Sequence, residues 1–326
     1  MFNEKIISTR TPLRVSFVGG GTDMPYFYNN FSGATISCAI NKYIYVIVKY
    51  QNNFQDKYRL NYSITENVNS LDKIKNIRIR EVIRKLKITK PLYINTFSDV
   101  PANTGLGSSS SFTVGLVAAL SKLSNMNLSK RRISEMAYSI EEKITKNAIG
   151  KQDHYIASFG GFKHIQYKKN RIKVSPINLE KKNTKYLLNS LILIWTNNYR
   201  KADKILQNLK KNKKKNYNNL KLMNKFTRNF LFEIKKKKIN IKKIGEMISE
   251  TWIIKKKLSR LTTNNNIDKI FDKVTNNKII YGGKLLGAGN GGFILFITKS
   301  KKKLIKNLKK FKYLCFEIDN NGTVIL

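Results

Sequence analysis

Residues 101–112 read PANTGLGSSSSF and place two glycines and four consecutive serines directly before an apolar helical pattern. Glycines let backbone N–H groups approach an anion without obstruction by a Cβ. A helix that begins behind them adds N–H donors and a partial positive charge. One serine suffices for an ordinary helix cap, whereas Ser108–Ser111 supply four hydroxyls. The stretch therefore favours a phosphate-binding loop, with a helix cap as the alternative.

The spacing of this loop excludes two common nucleotide motifs. A Walker A loop needs a lysine directly after its second glycine, but Ser108 follows Gly107. A dinucleotide fingerprint needs a third glycine three residues after the second, and Ser110 occupies that position. The His-Arg-Asp and Asp-Phe-Gly signatures of protein kinases do not occur in the sequence either.

Two other glycine clusters lie beside strand-like segments. VGGGTD at residues 18–23 ends in Asp23, which could hold sugar hydroxyls or cap a short helix. GKLLGAGNGGF at residues 283–293 precedes a strand-like segment. Its glycines could let the chain pass close to a ligand or form a tight packing turn.

A candidate catalytic carboxylate lies in GKQDHY, residues 150–155, where Asp153 is close to Lys151. A nearby cation keeps a carboxylate ionised, and such a group can accept a proton from a substrate hydroxyl. A helix N-cap is the alternative role. His154 and His164 lack metal-ligand spacing, and we interpret both as structural.

The length of 326 residues and the hydrophobic share of 41% suit two domains. A boundary near residue 180 predicts one domain at 1–180 and another at 181–326. No apolar run reaches the length of a membrane span, and no secretion signal is visible. Cys38 and Cys315 are too few and too far apart for a disulfide framework. We expect a cytoplasmic protein with two buried thiols and no membrane partner.

The formal net charge of +43 invites comparison with nucleic-acid-binding proteins. The lysine excess accompanies abundant asparagine and isoleucine along the whole chain, so codon composition accounts for it. The sequence has neither zinc-finger spacing nor an aromatic-basic stripe of the kind that binds nucleic acid. We therefore expect no specific nucleic-acid partner, although anionic ligands would be attracted.

Strand-like and helical segments alternate along the chain. Strand patterns cover residues 13–18, 35–50, 91–100 and 191–195, and helical patterns cover residues 108–124, 129–146 and, with heavy lysine loading, 199–261. The last eighty residues predict a helix, the third glycine loop, a strand, another helix and two terminal strands. The overall pattern predicts an α+β protein.

Taken together, three segments resemble the motifs of the GHMP small-molecule kinases, which include galactokinase, homoserine kinase and mevalonate kinase. PLRVSFVGGGTD, residues 12–23, is similar to the first motif. PANTGLGSSSSF is similar to the second, P-x-x-x-G-L-G-S-S. KLLGAGNGGF, residues 284–293, is similar to the third, K-x-x-G-A-G-x-G-G, with Asn290 where related kinases have glycine.

The resemblance implies a GHMP kinase fold, with an N-terminal β/α domain, a ferredoxin-like C-terminal α/β domain and the nucleotide in the cleft between them. It implies ATP and Mg²⁺ as cofactors, with Ser109 and Glu141 as metal ligands. The residues implied to bind the ATP phosphates belong to the second motif: Pro101, Asn103, Gly105, Leu106, Gly107, Ser108, Ser109 and Ser110.

The resemblance also implies roles for the acceptor side. Asp153 matches the catalytic aspartate, and Arg14 would pair with it. Asp23, with Gly20, Gly21 and Thr22 beside it, would hold sugar hydroxyls, and Gly287 and Gly289 of the third motif would close over the substrate.

Within the family, the segments GKQDHY, YRKADKIL and WIIKKKLS resemble sugar-1-kinases that act on a heptose phosphate. A phosphorylated sugar needs a cationic pocket, for which Lys151, Lys163, Arg200 and Lys284 are candidates. Arg200 is preferred, because arginine can bind a phosphate through two N–H groups. A sugar-1-kinase acting on an unphosphorylated sugar is one alternative, and a basic nucleic-acid-binding protein is another. A homodimer stays an open option.

Overall fold

The computed structural model describes residues 5–52, 57–146, 149–199, 202–276, 278–308 and 311–326. Two β-sheets organise the chain. The strands of the first sheet are β1 (Ile7–Val18), β2 (Gly33–Tyr50), β3 (Tyr58–Asn61), β4 (Thr65–Val68), β5 (Leu92–Ser98), β6 (Phe162–Lys168), β7 (Arg171–Pro176) and β12 (Val324–Ile325). The strands of the second sheet are β8 (Leu191–Trp195), β9 (Ile280–Leu285), β10 (Phe293–Thr298) and β11 (Tyr313–Leu314).

Helices cover both sheets and confirm the α+β class. They are α1 (Pro25–Phe31), α2 (Ile77–Lys85), α3 (Ser108–Leu123), α4 (Lys130–Ile144), α5 (Gln152–Phe159), α6 (Lys181–Ser190), α7 (Ala202–Lys211), α8 (Lys213–Ile234), α9 (Ile241–Leu258), α10 (Asn265–Thr275) and α11 (Lys301–Asn307). The two helices that follow the serine-rich loop thus end within two residues of their predicted bounds.

The strand order in the first sheet is β12-β1-β2-β5-β3-β4, and β6 joins the long strand β2 on the side of its first residues. The second sheet has the order β11-β8-β10-β9. With helices connecting β8 to β9 and β10 to β11, this is the ferredoxin-like arrangement. That arrangement confirms the architecture expected for the C-terminal part.

The central helix α3 is buried on nearly all sides, and this fixes its N-terminus in space. Its residues Leu116, Val117 and Leu120 have no exposed surface. A Cβ at Gly115 would lie 2.7 Å from the Thr11 hydroxyl of β1, so glycine is what lets the helix lie so close to this strand. The start of α3 is therefore held beside the residues of β1.

One hydrophobic core joins both sheets. Phe17 of β1 packs against Phe230 of α8, with ring centroids 5.8 Å apart, and Leu193 and Leu295 of the second sheet belong to the same cluster. The last strand, β12, returns to pair with β1. The predicted domains 1–180 and 181–326 therefore share one core, and the last strand of the second packs in the sheet of the first. The boundary at residue 180 stays a prediction.

The expectation of two buried thiols is half wrong. Cys38 is buried in the core, and burial raises the pKa of its thiol to about 12. Cys315 is exposed, because it follows the short edge strand β11. Within the described ranges, no helix combines the length and hydrophobicity needed to cross a membrane.

Leu120→Ala should lower the free energy of unfolding by about 2–5 kcal/mol, because it leaves a cavity beneath α3. Urea denaturation followed by circular dichroism measures this change. The matched control is Lys122→Ala on the exposed face of the same helix, for which we expect a change of at most about 0.5 kcal/mol. Equal effects of the two substitutions would contradict the central position of α3.

Candidate active site

A cavity of about 600 Å³ lies where β1, the serine-rich loop, the start of α5 and the third glycine loop meet. Its wall includes many of the residues predicted from the sequence. Those that line it are Arg14, Gly20, Gly21, Asp23, Asn103, Gly107, Ser109, Ser110, Asp153, Lys284 and Gly287. Segments that are distant in sequence therefore converge on one site.

Arg14 and Asp153 form a two-pronged ion pair in the wall of this cavity. The Nε and Nη2 groups of Arg14 donate to the two carboxylate oxygens of Asp153 at 2.8 and 2.6 Å. Nη1 of the same guanidinium donates to the carbonyl of Gly105 at 2.5 Å. Arg14 is 3% exposed and Asp153 is 24% exposed, so the carboxylate is the more open member of the pair.

The ion pair determines the charge of Asp153. Burial alone would raise the pKa of this carboxyl, but the Arg14 guanidinium beside it and a hydrogen bond from Gln152 lower the pKa below its usual value. Asp153 is therefore an ionised hydrogen-bond acceptor at neutral pH. Its predicted position opposite Arg14 is confirmed, while its role in catalysis stays a prediction.

The serine-rich loop is built around Arg14. The carbonyl of Leu106 accepts from the backbone N–H of Arg14 at 2.9 Å. Gly107 precedes α3 in the left-handed region with φ of 81°, and a Cβ there would lie 3.1 Å from the Arg14 side chain. The N-terminus of the 16-residue helix α3 thus opens beside the ion pair, an arrangement that suits an anion.

Glu141 of α4 lies behind this helix N-terminus with no exposed surface. Its Oε1 accepts from Ser109 at 2.5 Å, from Thr113 at 3.0 Å and from the Arg78 Nε at 2.6 Å. Its Oε2 accepts from Ser110 at 2.9 Å and lies 2.9 Å from the Nε2 of His154. Burial opposes ionisation, yet these partners lower the pKa of Glu141 well below its usual range.

His154 is structural in a more specific sense than expected. It has no exposed surface, and its Nδ1 has no partner within the described residues. Because the Glu141 carboxylate accepts, the contact requires a hydrogen on Nε2, which donates to the carboxylate. His154 supports the carboxylate that the family resemblance assigns to the metal. His164 lies apart from the cavity, on β6.

Asp23 holds the start of α5 as well as lining the cavity. Its carboxylate accepts from the backbone N–H groups of Gly21 and Gln152, both at 3.0 Å. Burial, reinforced by the charge of Asp153, raises the pKa of Asp23 above its usual value. Because a Cβ at Gly150 would lie 2.0 Å from the same carboxylate, that position requires glycine. Asp23 thus fixes the position of Asp153.

The third glycine loop packs on the serine-rich loop. The backbone N–H of Phe293 donates to the carbonyl of Thr104 at 2.9 Å, and a Cβ at Gly292 would lie 2.2 Å from that oxygen. Gly287 lines the cavity, whereas Gly289 packs against Thr262. Asn290 has a φ of 60°. Asparagine tolerates this left-handed conformation, so its difference from glycine leaves the turn intact.

Several predicted residues do not line the cavity. Thr22 has no exposed surface, and its hydroxyl bonds to the backbone of Gly19 and Ala34. Gly105 and Leu106 act through their carbonyls, Ser108 is buried and Pro101 is exposed. A direct substrate contact by Thr22 was the wrong expectation, because the side chain turns towards β2.

Two of the four predicted phosphate-binding cations are elsewhere. The Lys151 ammonium lies 4.6 Å from the ring centroid of Tyr138 and lines a separate basic groove beside α4. Lys163 lines another groove, beside α6. Arg200 lies outside the described residues. Lys284 is the predicted cation that lines the cavity.

Lys284 is buried, with 5% of its surface exposed. Its Nζ donates to the carbonyl of Phe17 at 2.9 Å. Within the described part of the chain, no carboxylate forms an ion pair with it. Burial, together with the charge of Arg14, lowers the pKa of Lys284 to about 7. A buried ammonium of this kind gains charge compensation when an anion enters the cavity.

Sequence reasoning missed three cations that line the cavity, namely Arg78, Lys204 and Lys255. Arg78 lies on α2, a helix that the sequence interpretation left out. The sequence nevertheless contains two signals for this helix. Asn76 is a capping residue, and Ile79, Val82 and Ile83 follow it at helical spacing. Nothing in the pattern of lysine-rich helices distinguishes Lys204 or Lys255 from their exposed neighbours.

Comparisons with known proteins identify related sequences. The sequence model of the GHMP kinases N-terminal domain matches residues 74–161. A D-glycero-alpha-D-manno-heptose 7-phosphate kinase of Campylobacter jejuni is 31% identical over 94% of this chain and 94% of its own length.

Solved structures share the fold. A D-glycero-D-manno-heptose 1-phosphate kinase of Bacteroides thetaiotaomicron superposes with a TM-score of 0.78 at 22% identity, over 98% of both chains. A Lactococcus lactis galactokinase in complex with galactose superposes with a TM-score of 0.73 at 16% identity, over 99% of this chain and 95% of that one. The expected fold class is thereby confirmed.

Lys284→Met should change how stability depends on pH. Because the folded-state pKa of Lys284 is lowered, the folded protein releases this proton above about pH 7, while the unfolded chain keeps it to about pH 10. The unfolded state then binds more protons, so stability rises with pH in that window, by up to about 1.4 kcal/mol per pH unit. The variant lacks this increment.

The measurement is the difference in unfolding free energy between wild type and Lys284→Met from about pH 6 to about pH 10, in urea. Exposed Lys257→Met is the control and should show no such pH dependence. A difference for Lys284→Met that is constant with pH would contradict the lowered pKa.

Proposed function

This chain belongs to the GHMP kinase family and is an ATP-dependent kinase, and we propose that it phosphorylates the anomeric hydroxyl of D-glycero-D-manno-heptose 7-phosphate. The product is the 1,7-bisphosphate, an intermediate suited to the synthesis of a nucleotide-activated heptose for surface polysaccharide. The relative from Campylobacter jejuni is a D-glycero-alpha-D-manno-heptose 7-phosphate kinase, and it supports the proposal because the similarity extends over nearly the whole of both chains.

The observation that carries the proposal is the charge of the cavity. Its described lining holds more cationic than acidic side chains: Arg14, Arg78, Lys204, Lys255 and Lys284 against Asp23 and Asp153. Such an excess suits the phosphates of ATP and a second anionic group on the acceptor. It supports a phosphorylated sugar over a neutral one.

The proposed chemistry follows from the geometry of the ion pair. The acceptor hydroxyl donates its hydrogen bond to the open carboxylate of Asp153, which orients the oxygen towards the γ-phosphorus. A new O–P bond forms, the bond to ADP breaks, and the hydroxyl proton passes to Asp153 as the oxygen loses electron density. Arg14 keeps Asp153 ionised. Positioning and charge stabilisation supply most of the rate enhancement, as in phosphoryl transfer generally.

The donor atoms around Glu141 fit Mg²⁺. The Glu141 carboxylate and the Ser109 hydroxyl are hard oxygen ligands, and Mg²⁺ commonly takes one or two protein oxygens together with nucleotide phosphates. Within the described residues there is no cluster of three or more histidine, cysteine or acidic side chains that could hold a metal on its own. Mg²⁺, when bound with ATP, would neutralise charge on the phosphates.

A panel of sugars tests the acceptor directly. ADP release is measured with D-glycero-D-manno-heptose 7-phosphate, the unphosphorylated heptose and galactose, and phosphorus NMR identifies the phosphorylated position. We expect turnover with the 7-phosphate and a new anomeric phosphate signal. Turnover only with an unphosphorylated sugar would favour another sugar-1-kinase of the family. Salt-resistant, saturable nucleic-acid binding without turnover would favour the nucleic-acid alternative.

Asp153→Asn should reduce kcat by about 10²- to 10⁴-fold, since the amide neither accepts the proton nor pairs with Arg14 as a charge. The affinity for ATP should change little. Steady-state kinetics and calorimetric titration measure the two quantities. Asp272→Asn, an exposed carboxylate on α10, is the control. Near-normal turnover of Asp153→Asn would remove this residue from the mechanism.

Arg200→Ala should raise KM for the phosphorylated heptose more than KM for its unphosphorylated analogue, because arginine binds a phosphate through paired N–H groups. The sequence motif YRKAD motivates this prediction. Arg132→Ala, which removes an exposed arginine of α4, should change neither KM. An equal rise for both sugars would contradict a role of Arg200 in binding the sugar phosphate.

A further inference from the structure

The Glu141 carboxylate has more hydrogen-bond donors than it can fully use. Two carboxylate oxygens offer about four lone-pair sites. Five donors meet them, from Arg78, Ser109, Ser110, Thr113 and His154. A divalent cation can therefore bind this carboxylate only if a donor gives way.

The five donors differ in their freedom to move. Ser110, Thr113 and His154 are buried on helices packed around Glu141. The single hydrogen of the Thr113 hydroxyl is shared between Glu141, at 3.0 Å, and the Ser109 carbonyl, at 3.1 Å. Ser109 can turn its hydroxyl from the carboxylate to a metal ion and become a ligand. Ser109, Ser110 and Thr113 contribute neutral hydroxyls, and His154 is held in place by its full burial.

Arg78 is different in position, exposure and charge. It comes from α2, and its side chain is 31% exposed and lines the cavity. A guanidinium and a divalent cation on the same carboxylate oxygen repel each other, most strongly at a buried site. Arg78 is thus the partner that must leave when a metal ion binds.

We propose that Arg78 competes with the divalent cation for Glu141 and, when displaced, turns its guanidinium to the nucleotide phosphates. This inference rests on the proposed kinase function. One cation replaces another on Glu141, so the buried carboxylate never lies without a countercharge. The displaced guanidinium remains in the cavity wall, where its N–H groups match phosphate oxygens. Arg78 is therefore a positioning residue for the metal–nucleotide complex.

Arg78→Gln separates the two effects of the arginine. The probe is Mn²⁺ without nucleotide, measured by its electron paramagnetic resonance signal. Removal of the competing cation should tighten Mn²⁺ binding by about tenfold, equivalent to about 1.4 kcal/mol. Calorimetric titration of a non-hydrolysable ATP analogue at saturating Mn²⁺ should show weaker nucleotide binding, by about tenfold, because the phosphates lose a guanidinium.

Two further variants keep the test decisive. Arg84→Gln removes an exposed arginine of α2 that pairs with Asp72 and Glu81, and it should leave both affinities unchanged. Arg78→Lys keeps the charge and should give Mn²⁺ affinity closer to that of the wild type. Melting temperatures verify that each variant is folded.

The outcomes distinguish this inference from the proposed function. Unchanged or weaker Mn²⁺ binding in Arg78→Gln, with normal analogue binding by the wild type, overturns the competition alone. Failure of the wild-type protein to bind the analogue, with or without metal, overturns the kinase assignment and the role of Arg78 together. Tighter Mn²⁺ binding without any loss of nucleotide affinity at saturating Mn²⁺ overturns the phosphate contact.

Discussion

The two-pronged pair of Arg14 and Asp153 is the interaction on which the cavity depends. A buried guanidinium is stable only when its N–H groups find acceptors, and those of Arg14 meet Asp153 and the Gly105 carbonyl. This requirement ties β1, the serine-rich loop and α5 to one another. It also explains Gly107, since any side chain there would crowd Arg14.

A second buried charge, the Glu141 carboxylate near the start of α3, is likewise stabilised by hydrogen bonds and an ion pair. Glu141 meets Arg78, His154 and three hydroxyls, so two carboxylates with different proposed tasks lie near one helix N-terminus. Asp153 is open to the acceptor, whereas Glu141 is closed off behind the loop. The difference in exposure, and not a difference in residue chemistry, separates the proposed acceptor site from the proposed metal site.

Short sequence motifs predicted those parts of the site that depend on neighbouring residues, namely the serine-rich loop, the helix behind it and the position of Arg14. The second motif predicted the loop and the helix that begins at Ser108, and the first motif predicted that Arg14 would face Asp153. The direction of long side chains was not predictable, because Lys151 and Lys163 lie in the same segment as Asp153 or just beyond it. Lys151 instead packs over Tyr138, and Lys163 faces another groove.

The sequence by itself determined the segments that need special backbones, such as the glycine loops and the caps, because those needs are local. It also determined the family through the order of three motifs. Only the tertiary structure decided that Arg78 meets Glu141, 63 residues away, and that Lys284 is buried without a carboxylate partner in the described chain. Such pairings depend on which faces of separate helices and strands meet, and that outcome belongs to the packing of the whole core.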